Sequence, residues 1–130
     1  MPSIFSRIIN KEIPCHLIAE NDDYMAFLDV MPLREGHTLV VPKREVDYIF
    51  DLNEAELAGL LEFARPIAKA IEKVIPCRRI GISVIGLEVP HTHVHLVPID
   101  TANDLNFTRS KMPADQGKLA EIAAQIRAQI

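Results

Sequence analysis

Residues 90 to 98 read PHTHVHLVP, so His91, His93 and His95 occupy alternate positions of one apolar run. The chain has five histidines in all, and spending three of them here needs a reason. In a strand, side chains alternate between faces, so these three rings point to one side and Thr92, Val94 and Leu96 to the other. Successive Cα atoms on such a face are roughly 6.5 Å apart. Imidazole can serve as a metal ligand, a nucleophile or a general acid or base near neutral pH.

Two histidines at i and i+2 can share a zinc ion. Zn–N bonds are only about 2.0 Å, however, and the outer pair of a straight row would be roughly 13 Å apart. A zinc site would take two of the three and recruit Cys15, His16 or His37, whose spacing does not demand it. No metal and no cofactor are expected. Catalysis fits the row better: one ring attacks while its neighbours fix its tautomer and assist a leaving group. Phosphoryl chemistry suits such a row, because it needs an in-line nucleophile with hydrogen-bond donors around the phosphate.

The elements that must hold these rings follow from pattern. HLIAE (16–20), YMAFLD (24–29) and HTLVVP (37–42) read as strands, with a turn at NDD and a loop through VMPLREG. RRIGISVIG (78–86) and HTHVHLVPI (91–99) read as two more. Residues 1–14 mix apolar and basic residues up to Pro14, and no element is assigned to them. A helix is expected from about Asn53 to Ile75, opened by the capping box Asn53/Glu56. Its apolar stripe is Leu57, Leu60, Leu61, Ala64, Ile67, Ala68, Ile71, Val74 and Ile75. Pro66 should kink or split it. A second amphipathic helix after Pro113 carries Leu119, Ile122, Ala123, Ile126 and Ile130 on one face. The order predicts an α+β fold: a five-stranded, mainly antiparallel sheet with a long central helix and a C-terminal helix. Residues 1–130 should form one domain, with about 111–130 as a helical extension.

The bulk properties narrow the partners. Apolar residues make up 48% and charged residues 25%, an ordinary globular composition. A net charge of −4 argues against nucleic acid or an acidic membrane as the main partner, so a phosphate would have to be held by local groups. No apolar run is long enough to span a membrane, and the first residues do not read as a signal peptide. Cys15 and Cys77 sit in unrelated contexts and read as reduced thiols in the cytoplasm.

PHTHVHLVP resembles the signature of the histidine triad (HIT) family, His-x-His-x-His followed by apolar residues. SIFSRIINKEIP resembles that family's N-terminal segment, and YMAFLDVMPLREGHTLVVPK its central strand-loop-strand. The likeness covers about residues 3 to 100 and is closest to the small nucleotide-binding members that act on nucleoside phosphoramidates. It implies a HIT-like fold, a homodimer with one continuous sheet, and a nucleotide hydrolase or transferase. In that reading His93 attacks the α-phosphate of a nucleoside 5′-phosphate derivative and forms a nucleotidyl-histidine. His95 hydrogen-bonds the phosphate or leaving group, and His91 and His37 support the site. By pattern alone His37 would be a solvent-facing histidine at a strand end. The resemblance further makes Asp29 the ribose-binding carboxylate, which by itself would be a turn-starting aspartate. It places Phe5, Ile8, Phe27, Leu28 and Val30 around the base, where pattern alone reads core.

The chain departs from the family pattern at several points. The usual Gly-Gln before the triad is Gly86-Leu87, which removes an amide from the phosphate. Ser83 is the nearest substitute for a usual asparagine. Glu88, followed by Val89, lies where other members place a small hydroxyl residue. The zinc-binding Cys-x-x-Cys of some members is Ser3-Ile4-Phe5-Ser6, so no structural zinc is expected. The segment after residue 100 does not match the usual tail and should pack on a dimer or replace a tail that shapes substrate choice. A nucleoside monophosphate or its conjugates are the expected ligands. Two other functions stay open: a nucleotide sensor or partner-binding module with little turnover, and a metal-binding protein built on the three histidines.

Overall fold

A computed structural model describes residues 2–113 and 115–130 of the chain. Residue 114, inside the expected C-terminal extension, and residue 1 lie outside the described residues. In chain order the elements are α1 (Ile4–Ile9), β1 (Leu17–Glu20), β2 (Tyr24–Leu28), β3 (Thr38–Pro42), α2 (Glu54–Val74), β4 (Arg79–Ser83), β5 (Val94–Ile99) and α3 (Gln116–Arg127). Short 3-10 turns lie at Ile49–Asp51 and Ala102–Leu105. The sheet has the order β1-β2-β3-β5-β4, and every neighbouring pair is antiparallel. The α+β expectation holds.

Both faces of the central strands are covered, so every residue of β2 and β3 is buried. One face carries Ala26, Leu28, Val40, Val94 and Leu96 into the main core, against Leu60, Ala64, Ile67 and Ile71 of α2. Leu119, Ile122, Ala123 and Ile126 of α3 join that same core, so this helix packs on its own chain. Ile130 lies past its end and is exposed. The other face carries Met25, Phe27, Leu39 and Val41 into a smaller cluster with Phe5 and Ile8 of α1. Helix α1 was not expected from the sequence. It has only six residues and is opened by Ser3, whose side chain accepts the Ser6 N–H.

Helix α2 begins at the expected capping box, Asn53 with Glu56, a feature typically worth about 1 kcal/mol. It continues through Pro66 without the split that a proline can cause. Pro66 and Glu62 both lie on the exposed face, so the Glu62 carbonyl that loses its helical donor can bond to water instead. Ala70 belongs to the buried stripe, whereas Leu57 and Leu61 face outward. The strands are shorter than expected. Val84, Ile85 and Gly86 leave β4 for the loop, and His91 and His93 precede β5.

Gly36 ends the loop that delivers His37 to β3. Its φ of +90° is a conformation that side chains strongly disfavour, and a Cβ there would stand 2.8 Å from Ile75 Cγ1 in the core. Gly36→Ala is therefore expected to cost about 1–3 kcal/mol through strain and overpacking. A melting temperature equal to that of the native chain would show that the loop relaxes freely.

Candidate active site

Donor and acceptor chemistry assigns a proton position to each of four histidines. His91 is fully buried. Its Nε2 lies 2.7 Å from the Pro42 carbonyl oxygen, which can only accept, so Nε2–H donates. Its Nδ1 must then accept from the Ser3 hydroxyl, 2.8 Å away. Glu45 completes this support by accepting from Ser3 N–H at 2.6 Å and from the Ser6 hydroxyl at 2.7 Å. These two bonds, the backbone one first, hold the Glu45 carboxyl below its usual range. Ser3 and Ser6 thus meet at His91 through hydrogen bonds.

The chain then turns so that His93 Nδ1 lies 2.7 Å from the carbonyl oxygen of His91. Again the ring nitrogen must donate, which leaves Nε2 of His93 with a bare lone pair. His37 and His95 form the second pair. The Leu33 N–H donates to His37 Nδ1 at 3.0 Å, so the neutral His37 carries its proton on Nε2. That proton is given to His95 Nδ1 at 2.9 Å, which leaves His95 with Nε2–H. Among the described residues every fully buried side-chain nitrogen and oxygen has a partner, so the unpaired Nε2 atoms of His93 and His95 are reachable. Two neighbouring rings therefore present one lone pair and one N–H, with ring centroids 4.9 Å apart.

Both rings line a cleft of about 560 Å³, within the range of about 300–1,000 Å³ common for small-ligand sites. Aromatic rings brace them edge to face: Phe5 on His93 at 4.9 Å and Phe107 on His95 at 4.6 Å. Asp29 lines the cleft just past β2. One of its oxygens accepts the Met31 N–H at 2.9 Å. Its other oxygen is 3.6 Å from His37 Nε2. Burial pushes Asp29 up and holds His37 down to about 4, so the ring is neutral near pH 7 and the contact is not an ion pair.

Phe5, Ile8, Phe27, Leu28, Val30, Gly86, Leu87, Glu88 and Val89 line this cleft as well. His91 and His37 stand behind the rings that do so. His37 is 1% exposed, against the solvent-facing position that pattern alone favours. Ser83 is opposite His95 in the β4–β5 register but is not among the lining residues. Leu87 is 88% exposed on the cleft lip. The cleft is also lined by Ile4, Ile13, Pro14, Cys15, Met31, Leu39, Ile85, Phe107 and Lys111, which no sequence pattern placed there. Phe107 and Lys111 could have been suspected only as an aromatic and a cation in the loop between β5 and α3.

Among the described residues, ligand atoms of Asp29, His37 and His95 lie within 4.8 Å of one another, the composition of a metal site. The Leu33 N–H occupies Nδ1 of His37 and puts a proton on the Nε2 that would have to face the ion. His91 has both nitrogens engaged. This donor set suits hydrogen-bond chemistry better than coordination.

Residues 10–102 match the family model of the HIT domain. A HIT-like protein of Borreliella burgdorferi is 33% identical, with 95% of this chain and 94% of that one aligned. The adenosine 5′-monophosphoramidase of Schizosaccharomyces pombe is 33% identical over 75% of this chain and 74% of its own. In structure, a HIT-like protein involved in cell-cycle regulation from Bartonella henselae superposes with a TM-score of 0.85 at 30% identity, covering 98% of this chain and 96% of that one.

Burial holds His95 down to about 3 and His37 to about 4, and it also lowers His91. An unfolded histidine titrates near 6.5. Between those values the unfolded chain binds protons that the folded chain refuses. Stability is thus full above about pH 6.5 and falls as pH drops, by up to about 1.4 kcal/mol per pH unit for each group. Thermal melts should decline between about pH 7 and about pH 5, before most carboxylates titrate, and His37→Gln should flatten the decline. Parallel curves for the two proteins would remove His37 as a contributor.

Proposed function

The chain belongs to the HIT family, and on that footing we propose that it is a nucleotide hydrolase. Its substrates in this reading are nucleoside 5′-phosphoramidates or related nucleotidyl conjugates, cleaved at the α-phosphate. The observation that carries the reading is the bare Nε2 of His93, fixed by the bond from its Nδ1–H to the His91 carbonyl oxygen. A neutral imidazole with one free lone pair in a cleft is a competent nucleophile.

The steps follow from that geometry. His93 Nε2 attacks phosphorus, the N–P bond to His93 forms, and the bond to the leaving amine breaks as the amine takes a proton from water. His95 Nε2–H donates to a phosphoryl oxygen or to the leaving group. Water then attacks phosphorus, the His93–P bond breaks, the monophosphate leaves and one proton returns to solvent. Asp29 accepts the ribose hydroxyls, and the apolar wall of Phe5, Ile8, Phe27, Leu28 and Val30 takes the base. Ser83 contributes indirectly, from beside β5, while Gly86, Leu87, Glu88 and Val89 border the phosphate.

A second reading rests on Leu87, which stands exposed where the family pattern has a glutamine: a nucleotide sensor with little turnover. A homodimer belongs to the proposal as well. Strand β4 is an edge strand with Ile82 53% exposed, and Leu57 and Leu61 of α2 also face outward. A reducing, cytoplasmic setting rests on the free thiols of Cys15 and Cys77.

AMP release from adenosine 5′-phosphoramidate in EDTA is expected for the native protein. His93→Ala should abolish it while still binding AMP. Full turnover in the variant would remove His93 as nucleophile, and tight AMP binding without native turnover on any conjugate would favour the sensor. Sedimentation should give about twice the 14.6 kDa chain mass; a single-chain mass would remove the dimer.

A further inference from the structure

Charge inside the cleft is unbalanced for a phosphate. The carboxylates of Asp29 and Glu88 line it, and Lys111 is the one lysine or arginine among its lining residues. The buried His37 and His95 are neutral at physiological pH. With Leu87 apolar, the loop before the triad offers no side-chain amide at that position. A phosphoryl group gaining charge in a transition state would meet two acidic side chains and a single fixed positive one.

Lys111 is placed there by structure on both sides of it. Asp104 accepts from the backbone N–H of Asp100 and of Thr101, and also pairs with Arg34 and Arg109. This ties down the turn after β5. Further on, the Met112 N–H donates to the Pro32 carbonyl oxygen at 2.9 Å. Between these ties, Phe107 lies against His95 and Lys111 reaches the cleft. Among the described residues Lys111 has no carboxylate within ion-pair distance, whereas Arg34, Arg44, Arg109 and Lys118 do. Its charge is nevertheless felt in the site. Burial raises Asp29, and the Met31 N–H and then Lys111 oppose that rise; at His37 Lys111 adds to the lowering by burial.

We propose that Lys111, carried on the segment between β5 and α3, is the cation that binds the substrate's α-phosphate and stabilises its developing charge, in place of an amide from the loop before the triad. This rests on the nucleotide-hydrolase reading and adds a catalytic residue to it. The ammonium is a point charge on a flexible stem, so it can follow the phosphorus between the two steps. The N-terminal and central segments supply the base and ribose contacts, and the C-terminal segment supplies the charge.

The test measures AMP and adenosine affinity by calorimetry, and kcat and KM with adenosine 5′-phosphoramidate. The proteins are native, Lys111→Met, Lys111→Arg and His93→Ala. Lys111→Met should bind AMP about tenfold or more weakly and lose at least as much in kcat/KM, with adenosine affinity unchanged. Lys111→Arg should recover most of both. If Lys111→Met binds AMP and turns over like the native protein while His93→Ala is inactive, the inference is overturned and the hydrolase reading stands. Equal losses for AMP and adenosine would reduce Lys111 to a structural part and also overturn it. A native protein that neither binds AMP nor releases it would sink the hydrolase reading, and the inference with it.

Discussion

A carbonyl oxygen can accept a hydrogen bond but never donate one, and the histidine cluster depends on that asymmetry. The Pro42 oxygen forces a proton onto Nε2 of His91, and the His91 oxygen forces one onto Nδ1 of His93. Once those two choices are made, His93 is left with its lone pair on the nitrogen that no described residue occupies. The Leu33 N–H acts with the opposite sign on His37, and through His37 it turns His95 into a donor. Backbone groups thus select the tautomers of four side chains, and the selection holds as long as the rings stay neutral.

Neutrality comes from burial. His37 and His91 are almost wholly enclosed, and charging either would put an unpaired cation into a poorly solvated interior. The sheet provides that enclosure because its two faces are covered by different layers. Helices α2 and α3 seal one side with an ordinary aliphatic core. On the other side, Phe5 and Phe27 of the smaller cluster leave the cleft open beside the triad. The site therefore sits where packing is incomplete, with Phe5 and Phe107 bracing the rings that aliphatic side chains do not.

Much of this was legible in the sequence, for identifiable reasons. Strand β3 announces itself by its β-branched run, and α2 by its capping box and apolar period. Along this run Val94 and Leu96 pack into the core while His93 and His95 line the cleft, the alternation that a strand pattern implies. Elsewhere a local rule lost to context. Pro66 lies on a solvated face and breaks nothing there. Helix α1 is too short for its period to register, and its cap, Ser3, is held by Glu45 from 42 positions away. His37 looks like a surface residue until the loop from Val30 to Gly36 folds over it.

Residue types and their order settled the strands, the long helix, the triad face and the set of groups able to do chemistry, because these follow from periodicity and functional groups carried by neighbouring residues. Which nitrogen of each ring bears the proton, that His37 and His91 are buried, and that Phe107 and Lys111 line the cleft were decided only in three dimensions. Most of these depend on atoms far along the chain: Ser3 and Pro42 for His91, His37 for His95, the loop beyond β5 for the cleft wall. No local pattern encodes a hydrogen bond between residues 88 positions apart; packing has to bring them together first.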